Sequence, residues 1–133
     1  GDIQFKTGKI PVKTLEAMLN TLPVEITFID ADDIFRYFSR PKEMLFPRAT
    51  AALGRTVQNC HPEKSVHLVN KIVEEFKSGK RDIAEFWIDM KGKKVYIRYY
   101  PVRDAEGNYL GAMEVTMDIA PLKEIEGQKR LLE

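Results

Sequence analysis

The sequence predicts an α+β domain with an antiparallel sheet and its helices gathered on one face. Three observations carry that expectation. Apolar residues recur at helical spacing over residues 63–79. A two-residue alternation of apolar and polar positions runs from 82 to 119, interrupted by two turn clusters. Two short aromatic-rich runs flank an acidic turn within 24–39. Strands grouped in two runs around a helical block give an α+β architecture.

Residues 1–11 hold two glycines, Lys6, Lys9 and Pro11 without periodicity, so an extended, flexible leader is expected. Leu15, Met18, Leu19 and Leu22 then follow a 3,4 spacing, which predicts a short amphipathic helix over 12–22 ended by Pro23. Ile26, Phe28 and Ile29, the turn Asp30-Ala-Asp-Asp33, and Ile34-Phe-Arg-Tyr-Phe38 read as a β-hairpin. Glu25 joins those aspartates in an acidic cluster that fits a solvated turn and lacks the calcium-loop pattern. Pro41, Pro47 and Gly54 leave room only for short helical turns over 40–60.

Val66, Val69, Ile72, Val73 and Phe76 predict the long helix, with Ser65 or a neighbour capping its start and Gly79 its end. Ala84, Phe86, Ile88 and Met90 alternate, Lys91-Gly-Lys93 turns the chain, and Val95 to Val102 is β-branched and aromatic. After the turn Asp104-Ala-Glu-Gly-Asn108, Met113, Val115, Met117 and Ile119 alternate again, which completes a three-stranded meander. Pro121 opens a last helix over 121–133, apolar at Leu122, Ile125 and Leu132 and weakened by Gly127.

Composition bounds the function. At 133 residues, 44% hydrophobic and 31% charged, the chain makes one packed domain. Its 21 basic and 20 acidic residues leave a net charge of +1, so no bulk charge excess points to nucleic acid or an anionic membrane. No apolar run is long enough for a transmembrane helix, and the N-terminus lacks a signal-peptide layout. Cys60 is the single cysteine, which forbids an internal disulfide, a multi-cysteine zinc site and a cysteine-ligated iron–sulfur cluster within one chain. It fits a reducing compartment, and the cytoplasm is the expected location.

Several local patterns, in order, resemble one family. Ile26-Thr-Phe-Ile-Asp30 with Phe35-Arg-Tyr37 is similar to the first hairpin of PAS domains. Gly54-Arg55 followed by His61-Pro62-Glu63 resembles their "GR…HPxD" stretch before the long helix. Tyr99-Tyr-Pro-Val-Arg-Asp104 with Gly107 and Gly111 resembles their last hairpin, and Asp118-Ile119 their closing "DIT". Ser39, Ala120 and Glu63-Lys64 depart from the usual Asn, Thr and acidic pair. The resemblance covers about residues 14–130 and implies a five-stranded antiparallel sheet with helices on one face and flanking N- and C-terminal helices. It divides the chain into the leader 1–11, a PAS-like domain over 12–120 and an exit helix over 121–133. It also implies a sensory role, a small-ligand pocket between sheet and helix, a homodimer, and an attached or partner signalling domain. GRTVQNCHPEKS with EFWI downstream resembles a prokaryotic subgroup whose members often stand beside hemerythrin-like domains.

The candidate ligand-binding residues are His61, His67, Cys60, Phe86, Trp87 and Tyr99. The two histidines stand six positions apart, about 240° around a continuous helix, which would keep them off a shared face; His61 precedes Pro62, which puts it before the helix, from where it can fold over the pocket. Either is a candidate axial haem ligand, as some PAS domains hold haem through a histidine near this helix; the plainer reading of His61 is a local hydrogen-bonding residue where the helix begins. A flavin fits less well, since the reactive-cysteine stretch of light-sensing PAS domains is replaced by Gln58-Asn-Cys-His-Pro-Glu63. Phe86 and Trp87 point to opposite faces of their strand, so one of them faces the helices. Cys60 with a histidine is the only arrangement that suggests a small thiol-dependent enzyme. No GxSxG elbow, HExxH pair or P-loop is present, and catalysis is not expected.

Overall fold

The protein, as a computed structural model, is described over residues 1–132. Its order is β1 (Asp2–Phe5), β2 (Gly8–Pro11), α1 (Val12–Thr21), β3 (Glu25–Asp30), β4 (Phe35–Phe38), α2 (Glu63–Ser78), β5 (Ala84–Met90), β6 (Lys93–Arg103) and β7 (Tyr109–Asp118). Short 3₁₀ turns lie at Thr50–Ala52, Val57–Cys60 and Pro121–Glu124. The main sheet has five antiparallel strands in the order β4-β3-β7-β6-β5. The fold is the α+β arrangement the sequence predicts.

That strand order dictates the rest. The hairpin β3–β4 ends at one edge of the sheet and the meander β5–β7 begins at the other, so the connection must cross a face. α2 makes the crossing. It buries Val73 and Phe76 in a core with Ile29, Phe35, Phe38, Ala84 and Ala112. Gly79 ends α2 in the left-handed region (φ 79°), its N–H donating to the Phe76 carbonyl at 3.2 Å. At the other end Pro62, not Ser65, takes the capping position, and the Ser65 hydroxyl donates back to the Pro62 carbonyl.

Turn chemistry sets the register of the hairpins. Asp30 accepts the backbone N–H groups of Asp32 and Ile34 and the side chain of Arg36. These bonds, led by Arg36, hold its carboxyl below the usual range. Asp104 accepts from Glu106 and Asn108 in the same way across the β6–β7 turn. Glu25 departs from expectation. It is a buried carboxylate at the start of β3, and it accepts the N–H groups of Leu45 and Phe46 at 2.8 and 3.0 Å. It therefore fixes the 40–49 loop to the sheet instead of standing in the solvated turn.

Both chain ends differ from the sequence reading. Residues 2–11 pair as a two-stranded ribbon, Asp2 opposite Pro11 and Phe5 opposite Gly8, in place of an extended leader. The expected exit helix is a single 3₁₀ turn over Pro121–Glu124. Gly127 then adopts φ 62°, outside the helical region, and Glu133 lies outside the described residues. The helix flanking the sheet is thus α1 alone among the described residues.

Candidate functional site

A cavity of about 470 Å³ lies between α2 and the inner face of the sheet. Strand parity builds its floor. Tyr99 on β6 stands opposite Glu114 on β7, and Glu114 opposite Thr27 on β3, so all three share the inner face. Val69, Ile72, Val73 and Phe76 form the α2 wall. The loop before α2 closes the side with Arg48, Ala52 and Val57. The walls are mostly apolar and the polar groups few, the composition of a small-molecule site.

The polar groups converge. Nη2 of Arg48 lies 3.4 Å from both carboxylate oxygens of Glu114, and the Thr116 hydroxyl donates to Glu114 Oε1 at 3.1 Å. Burial pushes the Glu114 carboxyl above its ordinary value, and Arg48, Thr116 and His61 only partly counter it. Burial, then the neighbouring Glu114 charge, raises the Tyr99 hydroxyl far above its ordinary range, so Tyr99 stays a neutral hydroxyl at the cavity. Because the folded state holds the Glu114 proton more tightly than the unfolded chain, this group favours folding most below the unfolded value of 4.5, and less as pH rises through the folded value. Glu114→Gln is therefore expected to be more stable than wild type at neutral pH and to lose that advantage near about pH 4. Urea unfolding at the two pH values measures it; a variant less stable at neutral pH contradicts the assignment.

The sequence candidates divide. His61, Cys60, Phe86 and Tyr99 line the cavity, whereas His67 and Trp87 do not. His61 and Cys60 are exposed, which places them at its rim. His61 Nδ1 lies 2.8 Å from the Val57 carbonyl, so that nitrogen is the donor, and in a neutral ring Nε2 is the one left to accept or ligate. Phe86 meets Tyr99 edge to face, ring centroids 6.0 Å apart. Trp87 sits on the outer face opposite Tyr96, 64% exposed. His67 is exposed on α2 and stands outside the cavity lining, whereas His61 precedes the helix in extended backbone, so no helical offset relates the two. No hydrogen bond joins Cys60 to His61 among the described residues, nor does any group of three His, Cys, Asp or Glu side chains come together to hold a metal ion.

Arg48 and Glu114 are the residues that sequence reasoning missed. Glu114 carried no signal: it holds a polar position in the alternation of Met113, Val115 and Met117, and the structure turns that parity, which it shares with Ala112 and Thr116, toward the cavity. Arg48, in a proline-punctuated loop, carried none. Ser39, one of the departures from the family pattern, is structural; it is almost fully buried and exchanges hydrogen bonds with Ile26 through its Oγ and backbone.

Comparison with known proteins agrees with this architecture. The family model described as "PAS domain" matches residues 15–120. A C-terminal domain from Streptococcus mutans is similar at 37% identity, with 95% of this chain and 98% of that one covered and a TM-score of 0.89. The PAS domain of Bordetella pertussis BvgS aligns over 82% of this chain and 86% of its own at 16% identity, TM-score 0.59. A sensory box sensor histidine kinase from Vibrio cholerae aligns over 80% of this chain and 89% of its own at 10% identity, TM-score 0.53. The last two show shared fold. A search of curated proteins gives no match. By its strand order, its crossing helix and the family match over most of its length, the chain belongs to the PAS domain family.

Proposed function

We propose that this PAS domain is a regulatory sensor module that binds a small ligand in the cavity between α2 and the sheet. The observation that carries the reading is a half-buried carboxylate, Glu114, its side chain 17% exposed, that faces an apolar cavity with Arg48 3.4 Å away while desolvation pushes its carboxyl up. Such an arrangement weakens the unliganded fold, and functional sites are where that weakness is retained. The family, whose fold is shared by domains of signalling kinases, supports a sensor role over a catalytic one. So does the lack of a hydrogen bond between Cys60 and His61, which leaves a thiol-dependent enzyme without its base. No helix among the described residues is long and apolar enough to cross a membrane.

A ligand acts by preferring one of two states of a bistable element. The loop carrying Arg48 is the element in contact with the cavity, and α1 and residues 119–132 are the segments through which the change leaves the domain. Residues 119–132 are tied to the sheet by the Ile119 N–H, which donates to the Lys94 carbonyl at 2.8 Å. Met18, Leu22 and Trp87, the last on the outer face of the sheet, are exposed apolar residues that suit a homodimer. Sedimentation of a monomer at all concentrations contradicts that part.

The binding claim is tested by thermal denaturation against small apolar and amphipathic compounds, run in parallel on Ala52→Phe, which fills the cavity from its loop side. A ligand at a hundred times its Kd adds about 2.7 kcal/mol and raises Tm by several degrees. The expected result is compounds that stabilise wild type and leave the folded variant unchanged. Equal shifts for both proteins, or no shift, contradict the reading.

His61 supports a second reading, a haem sensor. Its Nδ1 is committed to the Val57 carbonyl, which orients the ring and strengthens Nε2 as a ligand at the cavity rim. Haem would supply gas or redox chemistry there, with His61 as the residue that would hold its iron. This reading predicts an intense Soret band lost in His61→Ala and kept in His67→Ala; a colourless protein from haem-fed cells refutes it.

A further inference from the structure

We propose that the cavity's ligand is an apolar α-amino acid in its zwitterionic form, its carboxylate on Arg48, its ammonium on Glu114 and its side chain against the α2 wall. This rests on the sensor reading above and names the ligand class. The argument is one of unused bonding capacity and charge balance.

A guanidinium offers five N–H donors and a carboxylate about four acceptor positions. Among the described residues Arg48 spends one nitrogen on Glu114, and Glu114 receives only Arg48 and Thr116. Their 3.4 Å separation exceeds the roughly 2.7–2.9 Å of a closed charge-assisted bond. The pair is thus in register but not saturated, and both members line the cavity.

Charge selects the ligand. The pair is neutral as a unit, so a ligand with net charge leaves one charge uncompensated against apolar walls. A head that carries both signs on neighbouring atoms extends the pair into a four-charge ring and stays neutral. The ammonium and carboxylate of an α-amino acid are separated by a single carbon, which matches two protein groups 3.4 Å apart. Tyr99, kept neutral by its surroundings, adds a donor for the ligand carboxylate without changing that balance. A volume near 470 Å³ falls within the range of about 300–1,000 Å³ usual for small-ligand pockets and accommodates a branched or aromatic side chain.

Calorimetric titration of the whole chain with L-phenylalanine, 3-phenylpropanoate and 2-phenylethylamine tests the assignment, with indole as a neutral probe of the cavity itself. L-Phenylalanine is expected to bind at least about tenfold more tightly than either analogue, the scale of one truncated partner in a desolvated charge pair. Arg48→Gln should remove the advantage that the carboxylate confers and Glu114→Gln the advantage that the ammonium confers. A cooperative urea transition of each variant shows that it folds. Should indole bind while L-phenylalanine gains nothing over its analogues, the amino-acid assignment is overturned and the cavity reading stands. Should indole and every other compound fail, both are overturned.

Discussion

Gly111→Ala is expected to cost the domain about 4 kcal/mol or more, enough to leave much of the chain unfolded. Gly111 lies in β7 opposite Asp30 of β3, at φ 151°, a conformation that residues with a Cβ rarely adopt. A Cβ there would fall on the backbone carbonyl oxygen of Ile29 and come 2.7 Å from Phe28 Cζ. The Phe28 ring can swing aside, but the Ile29 carbonyl belongs to the neighbouring strand and cannot. Relief requires β3 and β7 to separate, and these are the second and third strands of the sheet, not an edge pair. Alanine elsewhere in a strand costs far less, so the effect reports the close approach itself. Urea denaturation measures it; a Gly111→Ala midpoint close to wild type contradicts the packing described here. The same strand carries Glu114, so a variant rescued into a folded state by a stabilising second substitution should still show altered ligand binding.

Phe76→Ala should cost about 3–5 kcal/mol. Phe76 is fully buried and is the largest side chain so placed. It sits where α2 meets the core residues Ile29, Phe35 and Ala112, and it also walls the cavity. Truncation therefore removes transfer energy and joins new void to an existing one, which offers the site little reason to collapse. Its backbone carbonyl receives the Gly79 N–H and the Arg103 side chain, and both contacts survive the substitution. The loss should thus come from packing alone and be independent of pH, unlike that of Glu114→Gln. A cost below about 1 kcal/mol would place Phe76 outside the core.

The elements legible from sequence were those whose burial pattern repeats. α2 was marked by Val69, Ile72, Val73 and Phe76 on one stripe with Gly79 behind it. Alternation along β5 separated Phe86 from Trp87, and turn aspartates at 30 and 104 fixed both hairpins. The ribbon at residues 2–11 was not legible, because Ile3, Phe5 and Ile10 are too few to set a period. Residues 121–132 misled in the opposite sense: Leu122, Ile125 and Leu132 mimic a helical stripe, but all three are exposed, so no packing offsets the break at Gly127. For the site, rim and wall residues were within reach of the sequence, since His61 and Cys60 stand at the mouth of the long helix and Phe86 and Tyr99 on its sheet. Its charge pair was not. Arg48 is brought to Glu114 by a loop whose path depends on Glu25, a carboxylate that sequence reading assigned to solvent.

The central claim is that the space between α2 and the sheet takes up a small molecule. Methyl-detected NMR of the whole chain titrated with indole tests it most directly. The account predicts saturable shifts at Ile29, Ile72, Ile97 and Val69, which line the cavity, with Val12 and Ile125 unmoved. Shifts that never saturate, or that centre on Met18 and Met117 beyond the cavity lining, would contradict it.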